Sequence, residues 1–480
     1  MTEDRTSKCW LALVLVLAVA AGLAAVPAVA QPAITGADQP GSSQSSDKPS
    51  QPPQTASVAS NFANPDPGGI RASLGRYGIT YGATYIGEVL GAVSGGVRRG
   101  SVYDGRLDVQ LDADLGTLAG VPGLALHGNA YQIHGNGLSR CCLGSLDVAS
   151  GIEALPATRL YELWLEQTLW GGKAALRAGQ LAADTEFLVS QYGALFVNST
   201  FGFPTVASAD LPGGGPAYPL ATPGVRLKLA PNPNLSALFA VFNGDPSGQG
   251  AGDPQRRNRS GTGFRLRDPA LLLGEVAYAY GQVNGAKLPG TVKLGASYSF
   301  APLNDLRTGG DGLSRADPAS DGTARRRRGS SLVYAVLDQF LYREPGGGGD
   351  QGLGAFLRLA GAPSAHTSAV RFYADGGLTY KGLLPGRDED TAGIAAGYVL
   401  LSGAQRGLDR DTAAFSPGYP IRSSEVLIEA TYQAQIVPGV TLQPDAQYIV
   451  RPGGHVPNPR NPGATVRNAA VLGVRATVHY

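Results

Sequence analysis

Hydrophobic and polar residues alternate with a period of two along most of the chain beyond residue 78. Over 103–115, Tyr103, Leu107, Val109, Leu111, Ala113 and Leu115 share one face, and Asp104, Arg106, Asp108, Gln110, Asp112 and Asp114 share the other. Over 290–300, Val292, Leu294, Ala296, Tyr298 and Phe300 oppose Lys293, Ser297 and Ser299. Over 425–436, Val426, Ile428, Ala430 and Tyr432 oppose Glu425, Glu429, Thr431 and Gln433. The last stretch sets Leu472, Val474, Ala476, Val478 and Tyr480 against Gly473, Arg475, Thr477 and His479. Successive side chains of a strand point to opposite faces, so each segment predicts a strand with one apolar and one polar wall.

This reading yields sixteen strands, over 79–93, 101–117, 123–135, 157–170, 173–182, 222–230, 235–244, 271–281, 290–301, 331–342, 352–361, 368–380, 391–402, 423–436, 439–451 and 468–480. Tight links (Gly171-Gly172, 231–234, Pro438) alternate with long ones over 136–156, 183–221, 245–270, 302–330, 403–422 and 452–467. The links near 343–351 and 381–390 are longer, and 362–367 shorter, than strict alternation expects. Soluble sandwich strands run to about five or six residues. Several strands here exceed ten, and a tilted membrane strand needs about 9–11. The expected fold is all-β: a transmembrane, antiparallel, up-and-down β-barrel of about sixteen strands over 79–480, with short turns on the periplasmic side and long loops outside. A soluble secreted β protein is the rival reading.

The N-terminus reads differently. Arg5 and Lys8 precede an apolar run from Trp10 to Val26, followed by Ala28-Val29-Ala30. That pattern predicts a cleaved signal peptide over 1–30, with a membrane anchor as the alternative. Residues 31–65, mostly Ser, Gln, Pro, Ala and Asp, predict a disordered linker. Over 66–78, Ile70, Leu74 and Tyr77 fit one face of a short periplasmic helix stopped by Gly78.

Charged residues make up only 16% of the chain and the net charge is +2, which excludes a strongly basic nucleic-acid binder. The adjacent Cys141 and Cys142 read as two free thiols, with a vicinal disulfide as the alternative in an oxidising compartment. The five histidines show no metal spacing, and no cofactor is expected. Gly347-x-Gly349-x-x-Gly352 precedes a strand, not a helix, so it is no dinucleotide site. Arg325 to Arg328 form a basic run that reads as part of a solvated flexible loop, with binding of surface phosphates as the alternative.

Several blocks carry a family likeness: Gly87-Glu88-Val89-Leu90-Gly91, Arg159-Leu160-Tyr161-Glu162-Leu163-Trp164-Leu165-Glu166-Gln167, Gly179-Gln180-Leu181 with Asp184-Thr185-Glu186-Phe187, and Pro212-Gly213-Gly214-Gly215-Pro216-Ala217-Tyr218-Pro219. From about residue 68 to the end, the chain resembles the OprB-like carbohydrate-selective porins of bacterial outer membranes. The resemblance implies a sixteen-stranded barrel through which mono- or oligosaccharides diffuse. Outer-membrane lipid and lipopolysaccharide would surround it, as a monomer or homo-trimer. A general porin, or a barrel enzyme, are the alternatives. Periodicity indicates the barrel; only the resemblance indicates sugar.

Parity assigns the candidate pore lining. Leu163, Leu165 and Leu169 on the lipid face turn Glu162, Trp164 and Glu166 inward. Leu176 and its neighbours turn Arg177 inward; Val225, Leu227 and Leu229 do the same for Arg226 and Lys228. Arg106 and Asp108 face in from 103–115. Such walls offer donors and acceptors to sugar hydroxyls, unless the residues merely pair with each other. The link 183–221, carrying Phe201, Phe203 and Tyr218, is expected to fold partly inward and narrow the pore, the alternative being a path along the rim. Glycoside hydrolysis is not expected. Glu162 and Glu166 lie ~13 Å apart along a strand, beyond the ~5–9.5 Å that paired glycosidase carboxylates need. Asp112 and Asp114 fit the window, but acidic residues two apart are common on any wetted face.

Overall fold

The computed structural model describes residues 69–281 and 288–480. The signal-peptide and linker expectations lie outside the described residues. Because lipid is as apolar as a side chain of leucine and offers no hydrogen bonds, a sheet that crosses it must close on itself. The chain does so with sixteen antiparallel strands in one barrel. They are β1 (Ile79–Gly96), β2 (Gly100–Asp114), β3 (Leu124–Gly135), β4 (Ala157–Leu169), β5 (Ala174–Leu181), β6 (Thr222–Asn232), β7 (Leu235–Asn243), β8 (Ala270–Tyr280), β9 (Gly290–Gly309), β10 (Ala324–Arg343), β11 (Gly352–Gly361), β12 (Val370–Lys381), β13 (Thr391–Leu401), β14 (Ser424–Val437), β15 (Val440–Val450) and β18 (Arg467–His479). Two short strands, β16 (Pro457–Asn458) and β17 (Asn461–Thr465), pair apart from the barrel within the last long loop. Each barrel strand pairs with its sequence neighbours, and β18 closes the ring on β1 from Thr84↔His479 to Gly96↔Arg467.

Polarity is inverted relative to a soluble core. Val109, Leu163, Leu165, Leu176, Leu294 and Ile428 are exposed on the outside, while Glu88, Arg177, Arg226, Glu275, Arg358 and Glu429 are buried inside. That arrangement is stable only with hydrocarbon around it and water or protein polar groups within. The aromatic residue at the C-terminus also serves the N-terminal helix α1 (Ile70–Arg76). The Arg71 guanidinium lies 5.1 Å from the ring centres of both Tyr81 and Tyr480. The apolar stripe expected on this helix is not buried: Ile70 and Tyr77 remain exposed.

Two expectations change. The 302–330 loop is largely strand. β9 and β10 continue to Gly309 and from Ala324, so Arg325 to Arg328 lie in β10 and the link shrinks to 310–323. Beyond the lipid no apolar face is required, so the alternation that marks the other strands fades there. A longer helix, α2 (Gly403–Phe415), braces this hairpin: Arg307 donates to both Asp411 carboxylate oxygens at 2.6 and 2.9 Å. The cysteines, expected as free thiols, are joined as a vicinal disulfide, Cys141–Cys142. The Cys142 carbonyl accepts from the Val97 and Arg98 amides, which ties this loop to the β1–β2 turn.

Candidate functional site

The link between β5 and β6 enters the lumen. A segment without strand partners carries free backbone N–H and C=O groups, and a polar barrel wall carries free carboxylates; each satisfies the other. Glu162 of β4 accepts from the Ala182 amide at 3.0 Å. Glu275 of β8 accepts from Leu188 at 3.1 Å, and Lys293 of β9 donates to the Val189 carbonyl at 2.8 Å. Glu429 of β14 accepts from Val197 and Asn198 at 2.6 and 3.0 Å. Arg358 of β11, paired with Asp375 of β12, donates to the carbonyls of Leu188, Thr200 and Gly202. Gln443 of β15 donates to Leu195 O at 2.7 Å. The segment thus crosses from β4 to the far wall. Phe196, Phe201 and Phe356 of β11 pack together, tilted or edge-on, with ring centres 4.9–6.1 Å apart, and fix it by burial as well. The inward course of 183–221 stands as expected, and the rim alternative falls away.

Above the segment lies an open cavity of about 760 Å³, lined by Arg106, Glu153, Asp184, Asn198, Tyr218 and Arg475 among others. Arg106 and Tyr218 form part of its wall, backed by a buried tyrosine cluster. Tyr131 of β3, Tyr161 of β4 and Tyr218 of the inward segment approach with ring centres 4.7, 5.6 and 6.3 Å apart. The Arg106 guanidinium covers Tyr131 at 4.7 Å and Tyr218 at 5.2 Å. Asp184 accepts from the Tyr161 hydroxyl at 2.7 Å and the Tyr218 amide at 2.8 Å. Burial pushes the Asp184 carboxyl above its ordinary range, against the pull of those two donors and of Arg106. Opposite, Arg475 of β18 donates to Glu88 of β1 at 2.8 Å and to Ser150 at 3.2 Å.

A second cluster lies nearer the periplasmic ends of β4, β5 and β6. Glu166, Arg177 and Arg226 occupy consecutive paired positions across these strands. Glu166 accepts from Arg177 Nε and from Arg226, both at 2.8 Å. Glu186, on the inward segment, completes the ring with two bonds from Arg226 at 2.8 and 2.6 Å. Arg177 also lies 3.6 Å from the Trp164 ring centre, and Trp164 stacks on His127 at 4.8 Å.

The eight expected lining residues therefore separate. Arg106 faces the cavity. Asp108 is held by the Asn129 amide at 3.3 Å. Glu162 anchors the inward segment instead of lining an opening. Trp164, Glu166, Arg177 and Arg226 form one ion-pair and stacking unit. Lys228 is half-buried two residues from Arg226 on the same face, with no hydrogen bond or ion pair among the described residues. Asp112 sits 2.6 Å from His127, and Asp114 caps the turn at Gly116 and Thr117.

Parity alone misses the tyrosine cluster for a local reason. The β3–β4 register slips between the pairs Gly128↔Leu163 and Ala130↔Leu160, so β4 bulges there. Tyr161 and Glu162 consequently both point inward and are buried, although they are neighbours. Tyr218 and Asp184 depend on the path of the inward segment, which no periodicity encodes.

An apolar belt, a polar lumen and a long segment folded into that lumen define an outer-membrane diffusion channel. The chain belongs to the carbohydrate-selective porin, OprB family, whose profile matches residues 98–480. It is similar to Porin B of Pseudomonas aeruginosa, at 24% identity over 306 residues, 62% of this chain and 64% of that protein. The match thus spans just under two thirds of that relative's length. Among solved structures, Pseudomonas putida OprB in its high-pH structure superposes with a TM-score of 0.75 at 23% identity, over 86% of this chain and 97% of that one. Its low-pH structure gives a TM-score of 0.50 at 16% identity, over 87% and 98%. These structures share the fold. The chain resides in the bacterial outer membrane.

Proposed function

We propose that this protein lets saccharides diffuse across the outer membrane through its lumen, without catalysis. The reading rests on Arg106, Asp184 and Tyr218, which line the cavity together. Tyr218, backed by the buried Tyr131 and Tyr161, offers apolar ring surface to the C–H groups of a sugar. Arg106 and Asp184 offer a rigid donor fork and an acceptor to its hydroxyls. The Arg106 Nε is buried with no hydrogen-bond partner among the described residues. The ring of Glu166, Arg177, Arg226 and Glu186, with Lys228 beside it, carries one net positive charge and sets ion preference. A pore must release what it binds, so each contact is modest. Family membership supports the carbohydrate class, and Porin B, at 24% identity, supports the porin role.

Single-channel recording against rising sugar concentration tests it. Arg106→Ala is expected to weaken sugar block of the current by about tenfold, the size of one charge-assisted contact. Unchanged block would remove Arg106 from the sugar path.

A further inference from the structure

The basic run of β10 leaves a surface that sugar passage does not use. Along β9, residues 299, 301 and 305 are buried and 298, 300 and 304 are exposed, so even-numbered positions face outward up to Asn304. Lower on β10 the outward positions are odd: Val333 is exposed and Leu332 and Tyr334 are buried. The register then shifts between Arg328 and Ser330, around Gly329, whose φ of +79° favours glycine. Past this bulge Arg328 pairs with Pro302 and Arg326 with Asn304, so both arginines join the outer face. Arg327 turns the other way, to the buried Asp305 at 3.1 Å.

The height of the two arginines is fixed by their neighbours. A Cβ on Gly329 would meet the Tyr298 hydroxyl, so the tyrosine tip lies against the bulge. Tyr298 packs edge-on against Phe300 at 4.8 Å, and both rings are exposed on the outside. Outward aromatics at the end of an apolar belt mark the headgroup level. The strand ends here belong to the long-loop side, so this level is that of the outer leaflet. Arg326 lies flat, donating to Asn304 Oδ1 at 2.6 Å and to Pro302 O at 3.0 Å. Arg328 is exposed and has no hydrogen bond or ion pair among the described residues. The outward positions of β9 and β10 above Phe300 (Pro302, Asn304, Arg326, Arg328) include no carboxylate.

We infer that Arg326 and Arg328 form a binding site for the phosphate groups of the glycolipid of the outer leaflet, of lipid A chemistry. Guanidinium forks match phosphate oxygens two at a time. Basic side chains at headgroup level draw anionic lipid, whereas the same charges deeper in the belt would be costly. This inference rests on the outer-membrane location and not on sugar passage.

The test uses the full-length protein purified in detergent, with native mass spectrometry as readout. The probes are diphosphoryl lipid A, the same lipid with both phosphates removed, and phosphatidylglycerol. Wild type is expected to retain diphosphoryl lipid A in preference to the other two. Arg328→Gln is expected to lower that retention about tenfold, and Arg326→Gln with Arg328→Gln to lower it further. If the double variant fails to show the heat-dependent gel shift of a folded barrel, the single variant decides, since Arg328 makes no contact the fold needs. Equal retention by the variants, or equal retention of phosphatidylglycerol by wild type, would overturn the inference. Sugar block of the current is expected to be the same in wild type and variants, which separates this site from the lumen.

Discussion

Arg226 on the barrel wall holds Glu186 on the inward segment through two hydrogen bonds, at 2.8 and 2.6 Å. Arg226 is buried, and the same guanidinium also reaches Glu166. Removing it leaves two carboxylates sharing Arg177 alone. Breaking one side of such a buried pair costs about 3–5 kcal/mol where water cannot enter, and less in a wetted lumen. Arg226→Ala is therefore expected to loosen the inward segment and shift ion preference toward cations. Reversal potentials in a salt gradient check the second effect; an unchanged potential would remove this ring from the ion path. The barrel itself should still fold, since lumen changes tune selectivity more than stability.

The outer face should respond in the opposite way. Val109 and Ile428 are exposed to lipid. Val109→Arg or Ile428→Arg is expected to cost about 2–4 kcal/mol near the midplane. Asp108→Asn, inside the lumen, should cost well under that, because Asn can still accept from Asn129. Reversible unfolding in lipid vesicles measures both. Equal tolerance on the two faces would contradict the facing.

A pH dependence follows from Asp147, in the loop between β3 and β4. Burial raises its carboxyl from 3.8 to about 6, against the hydrogen bond from Thr205 Oγ1 at 2.7 Å. Its second oxygen is buried without a partner among the described residues. The native state therefore keeps its proton after the unfolded state has lost it. This contribution to stability is full below pH 3.8 and is lost as pH rises through about 6. Protection of the amides of residues 144–150 and 203–208 against hydrogen exchange, taken relative to the intrinsic rate at each pH, is expected to be lower at pH 7.5 than at pH 5. Asp147→Asn should flatten the difference; an identical pH response in the variant would locate the switch elsewhere.

Much of this architecture is written in the alternation. Where lipid touches the barrel, one face must be apolar, and segments such as 103–115 and 425–436 show it plainly. The hairpin at 302–330 escaped because nothing apolar is demanded of a strand standing in water. The inward orientation of Arg177 and Arg226 was legible from the leucines beside them. Their partner Glu186 was not, because it arrives on a segment that takes its path from the wall. Tyr161 was hidden by a one-residue bulge that reverses parity within β4. The anchoring carboxylates were visible as polar positions, as with Glu429, but their role emerges only once the backbone they hold is in place.

On this reading the lumen passes sugars in preference to other solutes of the same size. Swelling of liposomes containing the purified full-length protein, across mono- and oligosaccharides and equal-sized non-sugar polyols and amides, measures it most directly. Sugars are expected to enter faster than size-matched non-sugars, and the Arg106→Ala variant to narrow the gap. Equal rates for sugars and non-sugars of one size would contradict it and leave a general porin in its place.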